Sequence, residues 1–250
     1  MKILEIKNLC KSYKSFSLDN VSFQMESGMI MGFIGRNGAG KTTTMKSILN
    51  LVHADSGSVL YFGQPLLDNE DKIKERLGFA TGGAPFYQRK TLAQIAACTK
   101  SFYSNWDDDA YKKYIKLFNL DESKKLRELS EGMKVKFSLT TALSHHAELL
   151  ILDEPTSGLD PVSRDELLDI FEYLSKEGVA ILFSTHITSD LEKCAGWITY
   201  IKQGKIVASK PKADFIADYP DCKSLEDIMV KIERQKEQGA GGEGQGLFNA

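Results

Sequence analysis

The stretch from Met29 to Val52 constrains this chain more than any other. Met29 to Ile34 is apolar nearly throughout, as a strand buried on both faces must be. It leads directly into Gly35-Arg36-Asn37-Gly38-Ala39-Gly40-Lys41-Thr42-Thr43, after which Met45, Ile48, Leu49 and Val52 recur at helical spacing. Strand, glycine loop and helix in that order form a phosphate cradle, and the loop fits G-x-x-x-x-G-K-[ST]. Glycines at 35, 38 and 40 let the backbone curl so that successive N–H groups converge on phosphate oxygens, and the helix adds its positive end. Lys41 places a cation on the β- and γ-phosphates of ATP, and the Thr42 hydroxyl is a ligand for Mg²⁺. A chance match of a glycine turn is disfavoured by the flanking strand and helix.

The rest of the chain reads as an α/β protein built around that unit. Ile3 to Ile6 and Val21 to Met25 are short strands, and His53 to Gly57 is a turn. From about Thr91 to His145 only helical periods occur, with a capping box at Thr91 and Gln94 and an acidic start at Asp107-Asp108-Asp109. Strand character returns at Leu149 to Leu152. A helix then opens at Asp160-Pro161 and closes at Gly178. Val179 to Ser184 is a further buried strand, Trp197 to Lys202 and Lys205 to Ser209 form a hairpin, and Ser224 to Glu237 is a charged amphipathic helix. The tail 239–250 has too little apolar content to order itself. Residues 1–238 are expected to form a single domain with a helical insertion at about 84–146.

Charge and composition exclude several classes. Basic and acidic residues number 32 and 34, a net charge of −2, so no overall field favours nucleic acid as a partner. Cys10, Cys98, Cys194 and Cys222 show no metal or disulfide spacing and read as reduced thiols in a cytoplasm. Charge interrupts the amino terminus before any export signal forms, and no apolar run reaches the length of about 18 residues that spans a bilayer. A membrane role therefore calls for a partner.

An ATPase of this kind needs carboxylates at the end of a neighbouring buried strand. Leu149-Leu150-Ile151-Leu152-Asp153-Glu154 supplies them: Asp153 to face the metal, Glu154 to polarise the attacking water as general base. Taken alone, Asp-Glu-Pro is also an ordinary polar strand exit. Leu129-Ser130-Glu131-Gly132-Met133 followed by Leu152 to Asp160 resembles the ABC transporter ATPases, over nearly the whole chain to about Gln238. The fold this implies is a P-loop NTPase (RecA-like) core with an N-terminal antiparallel β subdomain and an inserted α-helical subdomain.

The resemblance also implies roles and partners. Ser130 and the Gly132 N–H would cap the γ-phosphate of ATP held by a second copy of the chain, giving an ATP-sandwich homodimer, although Ser130 is equally an ordinary N-cap. His186 resembles the switch histidine that hydrogen-bonds the γ-phosphate, where a lone strand-end histidine is otherwise structural. Tyr13 resembles the aromatic that stacks on adenine; a core or surface tyrosine fits nearly as well. Asp160 resembles the aspartate of the loop crossing the dimer interface, and also suits a helix cap. His145-His146 has no partner at metal spacing and reads as solvated.

Two positions depart from the family. Glu131-Gly132-Met133 stands where Gly-Gly-Gln is usual, which is compatible with phosphate binding provided Glu131 points away. Near Gly82, following Leu77 to Thr81, the family carries a glutamine that contacts Mg²⁺ and water, and none occurs before Gln88. Either the loop is shifted or the glutamine's role is lost; its loss would give slow hydrolysis, or hydrolysis strongly dependent on the partner. The function implied is an ATP-hydrolysing subunit driving a separate transmembrane permease subunit, for export, from the cytoplasmic face of the cell membrane. The alternative is an ATP-dependent assembly or regulatory module with no membrane partner.

Overall fold

The computed structural model describes residues 1–81 and 87–234. The chain opens with two antiparallel strands, β1 (Lys2–Ser12) and β2 (Ser17–Glu26). On β2 the residues Leu18, Val21, Phe23 and Met25 are buried, and the alternation slips by one residue at Asn20, whose φ is +52°. Next come β3 (Ile30–Ile34), buried throughout, and α1 (Lys41–Ile48). This helix stops short of Val52 because Asn50 turns left-handed at φ +56°.

There follow β4 (Ser56–Tyr61), β5 (Gln64–Pro65), α2 (Glu70–Lys74) and β6 (Leu77–Thr81). β4 begins inside the stretch read as a turn: its first residues Ser56, Gly57 and Ser58 are exposed, so it shows no apolar alternation. Pairing with β1 makes it a strand. The helices α3 (Leu92–Lys100), α4 (Asp108–Leu117) and α5 (Glu131–Ser144) occupy the next segment. The Thr91–Gln94 capping box is present, with both hydrogen bonds at 3.2 Å, and Asp107 caps α4.

Then come β7 (Leu149–Asp153), α6 (Pro161–Lys176), β8 (Ala180–Thr185), α7 (Thr188–Cys194), β9 (Trp197–Lys202), β10 (Lys205–Pro211), α8 (Lys212–Ala217) and α9 (Leu225–Arg234).

Two sheets result. One is antiparallel, in the order β2-β1-β4-β5. The other runs β10-β9-β3-β8-β7-β6, parallel except for β10. Its strands alternate between two cores: Met31, Phe33, Leu149, Ile151 and Leu182 pack towards α1 and the antiparallel sheet, while Leu150, Leu152, Ile181 and Phe183 pack towards α5 and α6. Burial on both faces explains the near-continuous apolar runs.

The β9–β10 turn reaches back to the glycine loop, with the Gly204 N–H donating to Ala39 O at 2.8 Å and the Asp19 N–H to Gly204 O at 2.9 Å.

His145 corrects the sequence reading. It is 2 % exposed, stacked on Tyr103 at 3.8 Å between ring centroids, with Nδ1 2.9 Å from Glu75 O. Only His146 is exposed. The predicted tail 239–250 lies outside the described residues.

Candidate functional site

In the parallel sheet Ile34 pairs with Thr185 and Asp153 with Ser184, so β3, β8 and β7 end side by side at one carboxyl edge. Gly35, His186 and Glu154 are the residues that leave that edge. This register gathers residues far apart in sequence around a cleft of about 620 Å³ lined by Arg36, Asn37, Gly38, Gly40, Lys41, Thr42, Thr43, Glu154 and His186. β6 ends at Thr81 opposite Asp153. Gly82, near which the family's glutamine is expected, lies outside the described residues.

Two glycines are required by geometry. A Cβ on Gly35 would lie 2.3 Å from Ile201 O, a backbone atom that cannot yield. Gly40 has φ +115°, accessible to glycine and strained for other residues. Behind the loop Ala39 is buried. Lys41, 6 % exposed, folds back over the loop, its Nζ donating to Gly35 O at 2.8 Å and lying 3.2 Å from Glu154 Oε1. The Glu154 carboxylate also meets His186 Nδ1 at 2.9 Å. Glu154 itself sits at φ +51°, a conformation found for few non-glycine residues outside functional loops.

Asp153 lies beneath the cleft surface, 8 % exposed, and accepts from the Ser184 hydroxyl at 2.6 Å; the same Oγ accepts the Glu154 N–H at 2.9 Å. Ser184 thus holds the Asp153 carboxylate and the Glu154 backbone N–H, a role visible in sequence only as a polar residue closing an apolar strand.

A second buried network was invisible in the sequence. Asp190 is fully buried and accepts from Thr156 Oγ1 at 2.6 Å, from Thr185 Oγ1 at 3.3 Å and from Arg164 Nε. Arg164 Nη2 also donates to Ser189 Oγ at 2.5 Å. One carboxylate therefore ties the loop after Glu154, the residue before His186, and the first turns of α6.

Ser130, Gly132 and Asp160 form a separate group. Ser130 caps α5, its Oγ accepting the Met133 N–H at 3.3 Å. A Cβ on Gly132 would stand 3.3 Å from Ser163 Cβ, so the start of α5 packs on the start of α6. Asp160 caps α6, accepting the Val162 and Ser163 N–H groups at 3.0 Å and the Ser163 hydroxyl at 2.6 Å. These donors, the hydroxyl foremost, hold its carboxyl below its ordinary value of 3.8.

Tyr13 stands apart from the cleft lining, 48 % exposed in the β1–β2 turn, with Lys11 Nζ 5.7 Å from its ring centroid. The aromatic that lines the cleft is Phe16.

Comparison with known proteins agrees with this fold. Residues 18–157 match the ABC transporter family profile. The chain is 35 % identical over 213 residues to the bacitracin transport ATP-binding protein BcrA of Bacillus licheniformis, covering 84 % of this chain and 70 % of that protein. It is 32 % identical over 230 residues to the lantibiotic transport ATP-binding protein SrtF of Streptococcus pyogenes, covering 91 % and 96 %. Among solved structures, the ATP-binding subunit of an ABC transporter superposes with a TM-score of 0.83 at 26 % identity, covering 93 % of this chain and all of that one. An ATP-binding cassette in a dimeric post-hydrolysis state with ADP and Pi shares the fold, with a TM-score of 0.73 at 20 % identity over 84 % of this chain and 98 % of that one.

Proposed function

The chain belongs to the ABC transporter family as an ATP-hydrolysing subunit that powers a separate membrane subunit, and we propose that hydrolysis takes place between Lys41, Glu154 and His186. The observation that carries this reading is the position of the Glu154 carboxylate, 3.2 Å from Lys41 and 2.9 Å from His186 at the mouth of the phosphate loop. Gly35 to Thr43 hold the triphosphate through backbone N–H groups, and Lys41 exchanges its contact with Glu154 for the β- and γ-phosphates. Glu154, released from Lys41, takes the proton of the attacking water. His186 bridges Glu154 and the γ-phosphate, keeping the base aimed at the reacting atom.

Thr42 and Asp153 fit Mg²⁺ in the manner usual for that ion, which shares few protein ligands with substrate phosphates. Asp153, buried and oriented by Ser184, is a suitable anchor, and no cluster of three or more metal-ligating side chains occurs among the described residues. Bound there, the ion would supply charge stabilisation to the transferred phosphoryl group.

Ser130, Gly132 and Asp160 lie away from this cleft, in keeping with a role towards ATP held by a second copy; Phe16, which lines the cleft where Tyr13 does not, is the better candidate to stack on an adenine. No helix among the described residues is long and apolar enough to cross a membrane. On the family resemblance, and not on that absence, we propose that the chain works at the inner membrane face, as a homodimer on a permease, in an export system.

Glu154→Gln tests the assignment: ATP binding persists and dimers accumulate, while turnover falls by about 10²-fold or more. Retained turnover would place the base elsewhere. Basal ATPase of the isolated chain tests whether the glutamine's role near Gly82 is lost; a rate equal to that of fast family members would remove the expectation of slow hydrolysis.

A further inference from the structure

The amino end of α5 carries a carboxylate where the proposed function brings in an anion. Glu131 occupies the first helical position, between the Ser130 cap and Gly132, and its side chain is 48 % exposed. The first N–H groups of a helix have no intrahelical acceptor and suit a phosphate. An acidic side chain in that turn stabilises the helix, yet it repels an incoming triphosphate. The two demands conflict at Glu131.

Lys134 resolves the conflict. Its Nζ lies 2.6 Å from Glu131 Oε1, one turn along the same face, and its side chain is only 16 % exposed. The lysine stem is thus packed, and the ammonium approaches from a fixed direction. Glu131 is drawn along the helix towards the second turn and its charge is cancelled, while the Ser130 Oγ, accepting the Met133 N–H, keeps its hydrogen free to donate. Pairs of this kind contribute little to helix stability. What this pair controls is the charge met by an anion at the helix end.

We infer that Lys134 is a positioning residue for ATP-dependent dimerisation: it neutralises and diverts Glu131 so that the amino end of α5 accepts the γ-phosphate held by the second copy. The inference rests on the reading of Ser130 and Gly132 proposed above. It also assigns the Glu131 and Lys134 pair as one unit, in which the lysine matters because the glutamate is present.

The test uses the full chain in a Glu154→Gln background, with ATP-dependent dimerisation followed by light scattering and ATP binding to the monomer followed separately. Lys134→Met raises the ATP concentration needed for dimers on the order of fivefold, the size of one charge–charge interaction across several ångström of solvated gap. ATP binding by the monomer, which uses Gly35 to Thr43, is unchanged. The defect shrinks as salt is raised from about 50 to about 500 mM, because screening weakens repulsion. Glu131→Gln added to Lys134→Met restores dimerisation, which a merely structural lysine would not allow.

Ser130→Arg is the control. If it abolishes dimerisation while Lys134→Met has no effect, or if Glu131→Gln fails to rescue, the inference about Lys134 falls alone. If Ser130→Arg dimerises normally, the reading of this helix end falls and the inference with it.

Discussion

Arg164→Met should destabilise the chain by about 3 kcal/mol, the lower end of the cost of breaking a buried ion pair. Asp190 is fully buried, and Arg164 is its only cationic partner among the described residues, its own side chain 25 % exposed. With the guanidinium gone, Asp190 keeps the Thr156 and Thr185 hydroxyls at 2.6 and 3.3 Å but has no counter-charge. Partial exposure of Arg164 lets water approach and keeps the cost near the lower bound. For a domain of this size the loss corresponds to a fall in Tm of roughly 6–12 °C. Urea unfolding, followed by Trp106 and Trp197 fluorescence, measures it. Adding Asp190→Asn removes the unpaired charge and should recover part of the loss. A cost below about 1 kcal/mol, or an Asp190→Asn that deepens the defect, would refute the argument that a charge is held there by its partner. Because Thr156 follows Glu154 by two residues and Thr185 precedes His186, kcat should fall with stability in Arg164→Met and recover with it.

Other perturbations probe the cleft and its surroundings. Gly35→Ala should lose nucleotide binding by more than about tenfold, since its Cβ would lie 2.3 Å from Ile201 O; isothermal titration with ATP checks this. Ser184→Ala leaves Asp153 and the Glu154 N–H without their shared partner, so the Mg²⁺ concentration for half-maximal ATPase should rise and stability should fall by about 1–3 kcal/mol. Burial lowers the His145 pKa from 6.5, so the unfolded state binds its proton first: the contribution is complete above pH 6.5 and is lost as pH falls through and below it. Between about pH 7.5 and 5 the wild type should therefore lose more Tm than His145→Phe, which keeps the stack on Tyr103 and does not titrate; equal losses would show that folded His145 accepts its proton as readily as the unfolded chain does.

The parts of this molecule that were legible in its sequence are those whose causes are local. Buried parallel strands announce themselves by continuous apolar runs, and the phosphate loop by glycines that backbone curvature demands. Asp160-Pro161 and Thr91-Gln94 are caps whose partners lie within three residues. β4 was illegible because its outward residues are Ser56, Gly57 and Ser58, and only β1 makes it a strand. His145 reads as a solvated residue until Glu75, 70 positions away, supplies its acceptor. Asp190 looks like any acid on a short helix, and its partners Arg164 and Thr156 are 26 and 34 positions distant. Glu154 was legible as the candidate base at the polar end of an apolar strand, but its contact with Lys41 and the bond from its N–H to Ser184 were not.

The position of β3 has a consequence for the order in which the protein takes shape. This strand is hydrogen-bonded to β8 on one side and β9 on the other, and the loop after it is held from behind by Gly204 and Ile201. All of these supports come from the last third of the chain. As the ribosome delivers the polypeptide from its amino end, the phosphate loop emerges early, with Phe16 and Leu18 already made to lie beside Gly40, yet Ile201 and Gly204 follow it only about 160 residues later. Full ATP affinity is therefore expected only once synthesis has passed the β9–β10 turn.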